Sequence, residues 1–231
     1  MNKKKTELDF PFYNDPTIRT IDILILLAAP ILFSIYTFTP FSIPFGMGPY
    51  VFTLVHLVAF LYVARGKISL LIKNPRIRDY IRIIVTLILQ YIFAIGISMV
   101  LKNVLNVTLN NNEVLELNMG IKFWIAVIVQ LFGEELYKIL IFLAVLTIMN
   151  KKTKKRTLSI VVATTVSLLC FALLHATTYN SIIQIIVLQG FVSIFCLYNY
   201  LKTKNILTSY FEHLLFDAIP FILVMIDIIP K

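Results

Sequence analysis

The stretch Gly133-Glu134-Glu135-Leu136-Tyr137-Lys138 sets two adjacent carboxyls and an amine in the middle of a long apolar run. Neighbours on a helix point about 100° apart, so one glutamate can face a cavity while the other reaches a structural partner. That is a setting in which one carboxyl can serve as a general base. The same residues also allow a structural arrangement: Glu134 and Lys138, four apart on one face, can form an intrahelical ion pair. A second cluster is Phe171-Ala172-Leu173-Leu174-His175, where the aromatic ring and the imidazole share a face. The ring can orient the histidine, or the histidine can simply sit at a helix end near the interface. The third is His213-Leu214-Leu215-Phe216-Asp217, again with a spacing of four. An aspartate there can fix the imidazole tautomer and stabilise its cation. Taken together, Glu134, Glu135, His175, His213 and Asp217 could activate a water and stabilise an oxyanion, with or without a metal ion. The chain has no His-Glu-x-x-His zinc motif, no Gly-x-Ser-x-Gly elbow and no Gly-x-Gly-Asp aspartyl motif.

These residues must be carried by membrane helices. Apolar runs span about Ile21–Phe38, Gly48–Ala64, Tyr80–Leu101, Phe123–Met149, Leu158–His175, Ile182–Tyr200 and Ile206–Ile229. Each approaches or exceeds the roughly 17–25 residues that cross about 30 Å of hydrocarbon. Alternating ten-residue strands of a barrel are absent, so the expected fold is all-α: a polytopic membrane protein of about seven transmembrane helices in one bundle. The expected organisation is a basic N-terminal arm, 1–20, followed by one helical domain, 21–231, with the chemistry in a core of about 121–229. The arm can lie on the membrane surface through Phe10, Phe12 and Tyr13, or remain disordered. His56, the histidine of the second run, reads as a hydrogen-bonded structural residue. Cys170 and Cys196 fall inside spans and read as packing residues rather than a disulfide or a zinc site.

Composition agrees. Of 231 residues, 59% are hydrophobic and 14% charged, against about a quarter charged in soluble domains. The net charge of +9 does not point to nucleic acid, because its placement is one-sided. Apart from Lys102, Lys122, Lys138 and Lys231, all of the 21 Lys and Arg residues lie in the arm, in the second-to-third connection and the helix start that follows it, or in the fourth-to-fifth and sixth-to-seventh connections. The positive-inside rule then puts the N-terminus in the cytoplasm and the C-terminus outside a cell membrane. Membrane lipids are expected partners of the basic loops.

Three motifs in this order on separate spans resemble the CPBP family, the CAAX proteases and bacteriocin-processing enzymes also called Abi. Its motifs are Glu-Glu-x-x-x-Arg, Phe-x-x-x-His and His-x-x-x-Asn or Asp, met here at Glu134-Glu135, at Phe171 to His175 and at His213 to Asp217. The resemblance implies an intramembrane endopeptidase that cleaves membrane-associated peptides or proteins. In it Glu134 is the base for water, Glu135 its partner, and His175 and His213 handle protons or an oxyanion beside Asp217. It leaves open whether a divalent metal or none takes part. The family arginine would fall at Ile139, whereas Lys138 stands one position early, four after Glu134. A cation paired with Glu134 would blunt it as a base. The second reading is therefore a catalytically weak member acting in bacteriocin self-immunity or peptide binding. A third, a small ion-coupled transporter, would call for inverted repeats, and none is visible.

Depth sets a geometric condition. From the cytoplasmic helix ends there are about 15 residues to Glu134, 17 to His175 and 7 to His213, heights that differ by roughly 15 Å. Tilt, a kink near Pro220 or a shorter fifth helix must bring them level.

Overall fold

The computed structural model describes residues 9–39, 43, 46–110 and 119–228, and among them there are helices and no strands. Lys3, Lys4 and Lys5 of the basic arm, together with Ile229 and Lys231, lie outside the described residues. The long elements are α1 (Thr20–Thr37), α2 (Gly48–Val63), α3 (Ile77–Asn103), α4 (Ile121–Thr153), α5 (Arg156–Leu174), α6 (Ile182–Thr203) and α7 (Ile206–Met225). Five of them, α1, α3, α5, α6 and α7, are long and apolar enough to cross a membrane. The seven apolar runs thus correspond to seven helices, but α2 is short at 16 residues and α4 carries Glu134, Glu135 and Lys138 through its centre.

The chain is a multi-pass membrane protein, and its exposure follows that solvent. On α3, Ile77, Ile81, Ile84, Ile88 and Ile92 are all exposed, a continuous apolar face suited to lipid rather than water. The buried core lies around α4, whose residues Leu136 to Leu146 are almost all enclosed, packed by α1, α2, α5 and α7. The close approach of α2 requires Gly133. A Cβ there would stand 2.4 Å from Thr53 Oγ1 and 2.6 Å from Phe52 Cδ1, and Thr53 donates to the Val129 carbonyl at 2.7 Å.

The arm is part of the bundle. Phe10, Phe12, Tyr13 and Ile18 are buried in the main core, with the Phe10 ring 5.3 Å from that of Phe142. Asp9 accepts two bonds from Arg156, at 2.7 and 2.9 Å, and faces Lys204 at 3.4 Å. The arm, the α4–α5 turn and the α6–α7 turn therefore meet at one end, as the one-sided charge pattern anticipates. A buried carboxylate that the sequence reading passed over, Asp22, is held there by Arg19 at 2.9 Å and Arg65 at 3.8 Å.

Two irregularities shape the helices near the site. Residues Ile185–Gly190 of α6 wind as a π-helix, a form that recurs at functional sites. It ends at Gly190, where a Cβ would come within 2.9 Å of Ala172 Cβ on α5. In α7, Pro220 has no N–H for the carbonyl four residues back, that of Phe216. Tyr91 of α3 supplies the missing donor, its hydroxyl 2.6 Å from the Phe216 oxygen.

Candidate active site

The α4–α5 connection is a tight turn at Lys154–Lys155, with Lys154 in the left-handed region (φ 56°). Glu134 and His175 are equally far along the chain from that turn, so this antiparallel hairpin brings them to the same height. The third motif is levelled by contact. Glu135 Oε1 is 2.7 Å from His213 Nδ1, and Ser209, one turn earlier on α7, donates to Glu135 Oε2. Since α7 meets Glu135 so close to its own start, the far end of α4 runs past that start by on the order of 15 Å if the axes are parallel. The helix ends are uneven, and the motif residues are not.

Glu135 is the buried anchor. It is fully enclosed, as is Lys138, whose Nζ lies 2.5 Å from Glu135 Oε1 and 4.3 Å above the Phe171 ring. The ion pair expected between Lys138 and Glu134 is therefore not formed. On this helix the amine reaches three residues back, where Glu135 faces α5 and α7, rather than four. Ile139, the position of the family arginine, is wholly buried in the aliphatic core. Lys138 thus gives Glu135 the cation that an arginine at 139 would otherwise bring.

Glu134 faces the other way. It is half-buried, accepts from Gln130 Nε2 at 3.1 Å, and its Oε2 stands 3.8 Å from His213 Nε2. Asp217 Oδ2 is 3.7 Å from the same nitrogen. With a lysine and a serine also on Glu135, that carboxyl acts as an acceptor, and His213 donates to it through Nδ1–H. The other ring nitrogen, Nε2, then faces Glu134 and Asp217. Both separations exceed a direct hydrogen bond. They leave a polar gap framed by two carboxylates and one imidazole.

His175 stands at one edge of this group. It caps α5, with Nδ1 3.2 Å from the Phe171 carbonyl. The Phe171 ring lies between the two histidines, its centroid 5.0 Å from that of His175 and 6.0 Å from that of His213. Two further residues join the set. Ser209 lies four before His213 on the same helical face, a spacing visible in the sequence. Tyr179, buried in the connection after α5 and 6.4 Å from the His175 ring, has its phenol pushed up to about 12, first by burial and then by the negative charges of Asp217 and Glu134. Its position four after His175 is the only trace of it in the sequence.

His56 is structural: it is enclosed among Phe33, Phe52 and Tyr137, with Nδ1 2.6 Å from the Phe52 carbonyl. Cys170 and Cys196 are unpaired, half-buried and buried. Among the described residues no three His, Cys, Asp or Glu side chains are grouped in a way that could hold a metal ion.

No curated protein and no solved structure matches this chain significantly. A family match covers residues 117–219, and the family is described as Rce1-like, type II CAAX prenyl endopeptidase. It spans all three motifs and the helices that bring them together, α4 to α7. That segment is similar to the Rce1-like CAAX endopeptidases, in agreement with the resemblance of the three motifs to the CPBP family.

Proposed function

We propose that this protein is an intramembrane endopeptidase that cleaves membrane-associated peptides or proteins with a water activated by Glu134. The observation that carries the reading is the division of His213: Nδ1 is held by Glu135 at 2.7 Å, while Nε2 opens onto Glu134 and Asp217 at 3.8 and 3.7 Å. A water in that gap would give a proton to Glu134 as its oxygen forms a bond to the scissile carbonyl carbon. The carbonyl π electrons move to oxygen, and the oxyanion is stabilised by protonated His213 or His175. Collapse of the tetrahedral intermediate breaks the C–N bond, and the proton held by Glu134 passes to the leaving amine. Glu135, Lys138 and Ser209 position His213 and do not touch substrate.

The same reading takes all seven long helices as crossings of a cell membrane, with the basic end in the cytoplasm and the C-terminus outside. The site is then reached where the shorter α5 ends and α4 continues. The test is a cleavage time course on protein reconstituted in lipid, with a prenylated or membrane-anchored peptide, comparing wild type with Glu134→Ala. Cleavage by wild type that Glu134→Ala abolishes supports the assignment. Equal cleavage by both would refute it. Saturable peptide binding without any cleavage would favour the immunity or peptide-binding reading.

A further inference from the structure

At the end of the bundle where the arm and the basic turns meet, a cavity of about 420 Å³ lies between the start of α3 and the α6–α7 turn. Its lining includes Lys73, Arg76, Arg78, Arg82, Lys202 and Lys204, with Asp79 as the one carboxylate among the lining residues. Asp79 is already engaged: it accepts from Arg82 Nη1 at 2.9 Å and from the Arg76 backbone N–H at 2.8 Å. Lys204 also faces Asp9. The remaining positive charge has no comparable counter-charge in the lining.

The walls are fixed rather than fluid. Asn205, which is buried, accepts from the Lys73 N–H at 3.1 Å and donates to the Lys73 carbonyl at 2.8 Å. Next to it the Ile206 N–H donates to the Leu71 carbonyl at 3.0 Å. Asn205 also caps α7 by accepting from Leu207 N–H at 3.2 Å. These bonds hold cations from two distant chain segments beside one another. Burial and the charge of Lys204 both push the Lys73 amine down from its ordinary range. Cations forced together in a concave, partly dehydrated place raise the local concentration of anions.

We propose that this cavity binds a phosphate-bearing anion, namely the headgroup of an anionic membrane phospholipid. Phosphate fits the chemistry because arginines present forked donors to its oxygens. The lipid source follows from what adjoins the cavity. Arg78 and Arg82, four apart, line it on one face of α3, and the exposed Ile77, Ile81, Ile84 and Ile88 run from the same end down the lipid side of that helix. A headgroup in the cavity would lay its acyl chains along that face. The inference does not depend on the endopeptidase reading.

The test uses the full chain purified in neutral detergent. Phosphatidylglycerol, phosphatidylcholine and inorganic phosphate are titrated separately, with bound lipid read by native mass spectrometry and stability by the shift in Tm. Phosphatidylglycerol should bind saturably and raise Tm, with little effect from phosphatidylcholine. The variant Lys73→Gln/Arg78→Gln should weaken phosphatidylglycerol binding by about tenfold. Lys152→Gln/Lys155→Gln, an equal charge loss at the α4–α5 turn, should change it by less than about twofold. If the pocket pair has a lowered Tm before lipid is added, Arg78→Gln alone replaces it. Equal losses from both pairs would mean diffuse surface attraction and overturn the proposal. Binding of inorganic phosphate that phosphatidylglycerol cannot displace would overturn the lipid source.

Discussion

Nδ1 of His213 and Oε1 of Glu135 stand 2.7 Å apart, and Lys138 Nζ is 2.5 Å from that same oxygen. One carboxylate, fully enclosed, thus joins α4 to α7 and absorbs the charge of a buried lysine. This separates two roles that adjacent glutamates leave undecided in sequence. Glu135 holds the structure, and Glu134 is left facing the gap.

Removing the cation tests that separation. Lys138→Met should cost about 3–5 kcal/mol, because it leaves a buried carboxylate without its partner. Glu135→Gln/Lys138→Met should recover part of the loss. Thermal unfolding in detergent reads both, and purely additive losses would show that the pair is not coupled. Moving the cation by Lys138→Leu/Ile139→Arg should lose folded protein rather than gain activity, since position 139 points into the aliphatic core.

How much of this was legible in the sequence differs residue by residue. The helices were, because a bilayer enforces long apolar runs. The run at Ile182–Tyr200 read as one ordinary helix, however, and its π segment depends on where Gly190 meets Ala172, a tertiary fact. Lys138 had two sterically equal partners, three and four residues back, and only the positions of α5 and α7 decide between them. The arm's aromatics were noticed, but their burial against Phe142 and Phe60 is a contact between segments far apart in the chain. Pro220 did carry a readable signal: the Phe216 carbonyl needs a donor from elsewhere, though nothing local names Tyr91.

That donor gives a second measurement. Tyr91→Phe removes the hydroxyl from the Phe216 carbonyl and should cost about 1–3 kcal/mol, as for a buried polar group left unpaired. Pro220→Ala restores the backbone N–H, so Tyr91→Phe should cost much less in a Pro220→Ala background. If the loss is the same in both backgrounds, the tyrosine does not compensate for the proline.

Asp9 predicts an acid response of the arm. The paired Arg156 guanidinium lowers the Asp9 carboxyl below its ordinary value, against an opposing effect of partial burial. A carboxyl whose folded value is depressed contributes its full stabilisation above the unfolded value, about 3.9, and loses it as pH falls through the lower folded value. Hydrogen exchange at residues 10–18 should therefore be slow at pH 7 and accelerate in acid. Asp9→Asn should show the fast exchange already at pH 7. A protected arm in Asp9→Asn at pH 7 would mean that aromatic burial alone holds it.

The proposed orientation, with the basic ends in the cytoplasm, is tested by labelling. In a background free of Cys170 and Cys196, cysteines at positions 152 and 202 should be shielded from a membrane-impermeant maleimide applied to intact cells. A cysteine at position 111 should react. Reaction at 152 from outside would reverse the orientation.

The two motif histidines should respond differently to the same substitution. His213 is buried and hydrogen-bonded across helices, so His213→Gln removes a partner from enclosed Glu135. It should lower stability by about 1–3 kcal/mol and abolish cleavage as well. His175 is half-exposed at the end of α5, and its Nδ1 contact is with the carbonyl of its own helical turn. His175→Gln should shift stability by no more than about 0.5 kcal/mol. If His175 delivers or receives a proton during peptide cleavage, kcat should still fall by about 10²–10⁴-fold. Measuring Tm and kcat on the same preparations separates the effects, because a structural histidine moves both and a proton-handling one moves mainly kcat. Wild-type cleavage by His175→Gln would make His175 a bystander. The working set would then be Glu134, His213 and Asp217, the three groups that meet at Nε2.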